Sequence, residues 1–144
     1  MSSYTLRPMT ISDYDNVTEL WQRTENICLH DSDSREPMER FLKRNPSFSS
    51  VAGIGNQIVG AVLCSHDGRR GYLHHLAVEK SFRRQGIGRS LVNRSMKILA
   101  DENIHRCNIF ILEDNDPGIQ FWQNNKFVML EHFGWMQRKT DEQV

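Results

Sequence analysis

The stretch from Tyr72 to Leu112 constrains the fold more tightly than any other part of this chain. A β-rich run, Tyr72-Leu73-His74-His75-Leu76-Ala77-Val78, leads through a polar turn to Arg83-Arg84-Gln85-Gly86-Ile87-Gly88. Ile87, Leu91, Val92, Met96, Ile98 and Leu99 then mark a helix that ends near Asp101 to Asn103, and Cys107 to Leu112 reads as a buried strand. Strand, helix and strand in this order make a crossover, which places the two strands parallel in one sheet. Upstream, Phe48 to Ile54 and Ile58 to Ser65 flank the hairpin-like Gly55-Asn56-Gln57, and a second turn, His66 to Gly71, leads into the Tyr72 strand. Three strands thus form an antiparallel meander, and the expected class is α+β with a mixed sheet.

The flanks complete the pattern. Tyr4 to Pro8 reads as a short strand, after which Ser12 or Asp13 caps a helix carrying Val17, Leu20, Trp21 and Thr24. Asp33 and Glu36 have the spacing of a capping box for a second helix with Met38, Phe41 and Leu42 on its apolar face, stopping near Asn45-Pro46. Asp114-Asn115-Asp116-Pro117 opens a shorter helix with Ile119, Phe121 and Trp122, and Phe127 to Met136 closes the chain as a final strand. At 144 residues, with no linker or repeat, residues 1–144 are expected to form a single domain.

Composition excludes several classes of function. Eighteen Lys and Arg balance eighteen Asp and Glu, so no overall field draws the chain to nucleic acid or to an anionic membrane. The N-terminus has no signal-like apolar run and no stretch has the length of a membrane span, which gives a cytoplasmic expectation. Cys28, Cys64 and Cys107 are odd in number and lack any Cys-x-x-Cys spacing, which argues against a disulfide framework or a zinc site. His30, His66, His105 and His132 are scattered singly. His74 and His75 are adjacent, but neighbours on a regular strand face opposite ways, so no metal is expected.

The glycine-rich loop carries the chemistry. A helix N-terminus offers N–H groups without internal partners and the positive end of the helix dipole, so it favours a phosphate. Gly86 and Gly88 let the backbone approach an anion, and Arg83, Arg84 and Arg89 can add charge-assisted hydrogen bonds. No Gly-Lys-Ser/Thr follows, so this is not a Walker loop. It lies after a meander and lacks a third glycine, so it is not a dinucleotide fingerprint either.

Arg83-Arg84-Gln85-Gly86-Ile87-Gly88 instead resembles the Gln/Arg-x-x-Gly-x-Gly/Ala signature of the GNAT superfamily of acetyl-CoA-dependent N-acetyltransferases, and the order of elements is similar over nearly the whole chain. The resemblance implies the GNAT fold: a central mixed sheet, with a meander and a parallel pair that splays, flanked by about four helices. It implies that acetyl-CoA is the co-substrate, its pyrophosphate on the backbone of Arg84, Gln85, Gly86, Ile87, Gly88 and Arg89, with Arg83 nearby. The pantetheine arm would pair with the strand edge at Leu76, Ala77 and Val78, by strand addition. Asn115 matches the family's recurrent asparagine beside the cofactor; it equally fits a simple helix cap.

Direct acetyl transfer needs a neutral amine and a way for the thiolate to leave. On a regular strand Tyr72, His74 and Leu76 share one face, and Leu73, His75 and Ala77 the other. Tyr-Leu-His-His-Leu-Ala-Val is similar to the His-x-His-x-Leu-Ala-Val strand of the family's serotonin N-acetyltransferases, which places Tyr72 and His74 at the two positions serving amine deprotonation. His74 is the expected base, or else a histidine satisfied by hydrogen bonds within a strand; His75 is expected to be structural. Glu25, Asp31 and Asp33 are rival bases or substrate-binding carboxylates.

Trp122 stands where the family commonly has an acidic tyrosine, and an indole N–H cannot serve as a practical acid. It could pack against the cofactor arm or belong to the core with Phe121 and Phe127. The expected acceptor is a small amine; a peptide N-terminus or lysine side chain, and a non-catalytic CoA sensor, are the alternatives. A homodimer through the C-terminal strand, using Phe133 and Trp135, is also expected from the resemblance.

Overall fold

The computed structural model describes residues 3–141. Five strands form one sheet in the order β1-β2-β3-β4-β5: β1 is Thr5–Pro8, β2 Ser50–Ile54, β3 Gln57–His66, β4 Gly71–Val78 and β5 Cys107–Asn108. The first four pair antiparallel, whereas β4 and β5 are parallel. Four α-helices flank them: α1 Tyr14–Gln22, α2 Arg35–Arg44, α3 Ile87–Asp101 and α4 Asp116–Asn124.

Alternation along the strands divides the apolar residues between two cores, one on each sheet face. Val51, Ala61 and Leu63 join Val17, Leu20, Trp21 and Met38 from α1 and α2. Ala52, Val62, Cys64 and Leu73 join Ile87, Leu91, Val92 and Leu99 from α3, with Phe121 and Trp122 of α4 packed against them. Helices thus cover both faces, and β1 and β5 are the two edges. No helix among the described residues is long and apolar enough to cross a membrane.

Three local expectations are corrected. Asp33 does not cap α2 through a box with Glu36; its carboxylate accepts the backbone N–H of His30 (3.0 Å), and the N-cap of α2 is Ser34, which makes no side-chain cap bond. The strand expected over Cys107 to Leu112 has only two ladder residues, and Phe110 and Leu112 are exposed. The strand expected over Phe127 to Met136 does not form. Its alternating residues need a neighbouring ladder to pair with, and β5 ends at Asn108. Val128, Leu130, Phe133, Trp135 and Met136 are exposed in consequence.

Candidate active site

The site grows from an irregularity in β4. Ala61 pairs with Ala77 and Leu63 with His74, so His75 and Leu76 together face Val62 alone: a β-bulge. His75 has φ 55°, a left-handed conformation usually left to glycine. The extra residue reverses the alternation expected for a regular strand. Leu76 packs with Leu73 on the α3 side instead of sharing the face of Tyr72 and His74. For the same reason His74 and His75 do not point apart; their ring centroids lie 6.5 Å from each other.

His74 is held by ring faces. Its imidazole stacks on Tyr72 (6.2 Å, planes 7° apart) and on Phe110 (6.2 Å, 19°), and Phe110 stacks in turn on Trp135 (4.6 Å). Burial, reinforced by the neighbouring His75, pushes the His74 pKa down against the pull of Asp33. Its neutral form, the proton-accepting one, is therefore favoured. Among the described residues no group of three His, Cys, Asp or Glu side chains could share a metal ion.

Two of the three rival carboxylates are engaged elsewhere. Asp33 Oδ1 lies 2.9 Å from His75 Nε2, and since a carboxylate accepts, that nitrogen carries the hydrogen. Burial pushes the Asp33 carboxyl up, but the bonds from His75 and the His30 N–H outweigh it and hold it below its ordinary range. Glu25 pairs with Arg83 at 2.6 Å, and Asp31 is exposed.

Beside His74 the sheet opens. Among the described residues β4 and β5 pair only through Gly71 with Cys107 and Tyr72 with Asn108, so from Leu73 to Val78 this edge of β4 has none of their strands beside it. That free edge runs toward the N-terminus of α3. Gly86 is its N-cap at φ 82°, and the first helical bond is donated by Ser90 N–H to Gly86 O at 3.0 Å. The N–H groups of Ile87, Gly88 and Arg89 therefore have no acceptor within the helix, and Gly86 has no side chain to cap them.

Its chain neighbours aside, none of the described residues lies within 4 Å of where a Cβ on Gly86 would be, so the loop is open on that side. A Cβ on Gly88 would come within 3.1 Å of the Phe121 ring, so glycine there allows α4 to pack on α3.

The loop's side chains divide. Arg84, itself left-handed at φ 66°, and Arg89 are exposed. Arg83 is committed to the protein, donating Nε–H to Val78 O (3.0 Å) besides its pair with Glu25. Gln85 Oε1 is buried with no hydrogen-bond partner among the described residues. Asn115 caps α4, its side chain accepting the Gly118 N–H at 3.1 Å. Trp122 sits edge-on between Phe121 and Phe127, 5.2 and 4.9 Å away, as part of the core.

Two contributors carry no local signal in the sequence. Trp21, one of α1's apolar residues, donates its indole N–H to His75 O (2.8 Å), and Tyr4 reaches the α3 N-terminus with its hydroxyl 2.7 Å from Ser90 Oγ. Both contacts depend on how distant segments pack.

Residues 14–127 match the model of the acetyltransferase (GNAT) family. An acetyltransferase of Yersinia enterocolitica is 31% identical over 118 residues, covering 82% of this chain and 83% of that one. Among solved structures, the PaiA N-acetyltransferase from Thermoplasma acidophilum in complex with coenzyme A superposes with a TM-score of 0.74 at 18% identity, covering 85% of this chain and 88% of that one. The diaminobutyrate acetyltransferase EctA from Paenibacillus lautus, in complex with L-2,4-diaminobutyric acid and coenzyme A, gives 0.73 at 20% identity, covering 86% and 75%.

Proposed function

This chain belongs to the GNAT family of acetyltransferases, and we propose that within it the protein is an N-acetyltransferase that moves the acetyl group of acetyl-CoA to the primary amine of a small metabolite. The observation that carries the reading is the free edge of β4, which passes His74 and ends at the uncapped N-terminus of α3. Unpaired ladder positions followed by uncapped helix N–H groups suit a ligand with amides at one end and phosphates at the other. Leu76, Ala77 and Val78 would offer ladder positions to the pantetheine amides. The N–H groups of Ile87, Gly88 and Arg89, with the exposed guanidinium groups of Arg84 and Arg89, would hold the pyrophosphate. Arg83 orders the loop from behind.

Acetyl-CoA supplies an activated acyl group on a good leaving thiol. His74, kept neutral by burial, accepts the ammonium proton directly or through water and frees the amine to attack. Tyr72 flanks its ring and fixes its plane. The leaving thiolate needs no strong acid, since thiols titrate near 8.5, which fits a tryptophan at position 122. A small acceptor is supported by the structural neighbour that binds diaminobutyrate.

The test is release of free thiol from acetyl-CoA in the presence of a panel of amines, diamino acids included. Amine-dependent release, with the N-acetylated product found by mass spectrometry, is the expected result. Tight CoA binding without turnover on small amines or peptides would identify a CoA sensor instead.

A further inference from the structure

Resting on that reading, we propose that Asp33 is a positioning residue of the site, acting through His75 on the β4 bulge that sets His74. A left-handed backbone is unfavourable for a non-glycine residue, so the bulge at His75 must be held by its surroundings. Two bonds hold it. The Trp21 indole N–H donates to the His75 carbonyl at 2.8 Å, and Asp33 Oδ1 accepts from the His75 ring at 2.9 Å. The Trp21 ring also packs against the imidazole at 5.0 Å, with the planes inclined by 61°.

Asp33 is itself fixed at three points. Besides His75, its other carboxylate oxygen accepts the His30 N–H at 3.0 Å, and its backbone carbonyl accepts the Tyr14 hydroxyl at 2.8 Å. With a side chain only 11% exposed and both oxygens occupied, it is an anchor and not a base for substrate. It ends the α1–α2 connection, in the 3₁₀ turn Asp31–Asp33, and ties that connection to β4. A half-buried carboxylate–imidazole pair is a poor way to stabilise a core, since apolar residues of the same size often do as well. Its presence at the bulge calls for a geometric reason.

That reason is the next residue. The bulge residue sets the direction in which His74 leaves the strand, over Tyr72 and opposite Phe110, and it turns Leu76 to the α3 side. Without the pair, His75 relaxes toward extended backbone and His74 loses that seat.

Histidine-labelled protein tests this by NMR. The His74 ring signal, displaced by Tyr72 and Phe110, should stay in place in His75→Gln, which keeps a donor toward Asp33. It should move toward the free-histidine position in His75→Ala and Asp33→Ala. In the thiol-release assay kcat should fall by roughly ten- to a hundredfold in both alanine variants, as expected for a small misplacement. CoA affinity should hold, and His75→Gln should recover most of the rate. Should an alanine variant fail to fold, Asp33→Asn, which keeps the shape and weakens the bond, makes the same comparison.

An unmoved His74 signal in folded His75→Ala and Asp33→Ala would overturn the proposal, as would a His75→Gln that behaves like His75→Ala. If the wild-type protein acetylates no amine, the transferase reading fails, and the NMR comparison still decides whether Asp33 positions His74.

Discussion

His74 and Gly86 serve separate halves of the proposed reaction, and single substitutions distinguish them. His74→Ala removes the proton acceptor but touches nothing in the α3 loop, so kcat should drop on the order of a hundredfold below the amine's pKa and less above it, with CoA affinity unchanged. A pH–rate profile checks this; an equal loss at every pH removes His74 as the base. Gly86→Val places a β-branched residue at φ 82° in the open side of the loop. CoA should bind at least about tenfold more weakly by calorimetry, since the uncapped N–H groups lose their approach to phosphate. The thiols give a third residue-scale check. Burial pushes Cys64 and Cys107 up to about 12, whereas Cys28 is exposed, so a thiol reagent at mildly alkaline pH should label Cys28 first.

At the scale of elements, what periodicity controls was legible and what partners control was not. Val17, Leu20 and Trp21 read as one helical face and are all buried, and α3 shows its core face in Ile87, Leu91, Val92 and Leu99. Leu91→Ala, fully buried between α3 and the sheet, should therefore destabilise the fold by about 2–5 kcal/mol, measured by urea denaturation. The order strand, Gly-rich loop, helix, strand was likewise readable, and with it the place of the uncapped α3 N-terminus to which phosphate binding is proposed.

The bulge was not. Nothing in Tyr72 to Val78 marks His75 as left-handed, because the conformation is imposed by Trp21 and Asp33 from distant segments. The face assignment of Leu76 failed for that reason. The C-terminal residues differ for another reason: alternation describes what a segment can do in a sheet, and among the described residues no ladder beyond Asn108 is there to receive it.

For the whole molecule, the carboxylates link folding to pH. Asp13 is held below the ordinary range chiefly by hydrogen bonds from Arg7, at 2.8 Å to each oxygen, and Asp33 by His75 and the His30 N–H. Because their folded pKa values are depressed, each contributes stability that is full above the ordinary carboxylate pKa near 4 and is lost as pH falls through the folded value. Urea midpoints recorded downward from neutral pH should fall in that acid window, and Asp13→Asn should start lower and show a shallower decline.

The bulge has a last consequence for chain length. A β4 shorter by one residue at His75 or Leu76 would restore strict alternation, the remaining residue facing Val62, with Ala77 still opposite Ala61 and Val78 still opposite Gly60. Such a deletion would leave the strand order and both cores intact while removing the left-handed residue beside His74. Changes of length should accordingly spare activity in the Gly55 or Gly68 turns, where a side chain would meet open space, whereas loss of one residue at the bulge should leave a folded protein with impaired thiol release.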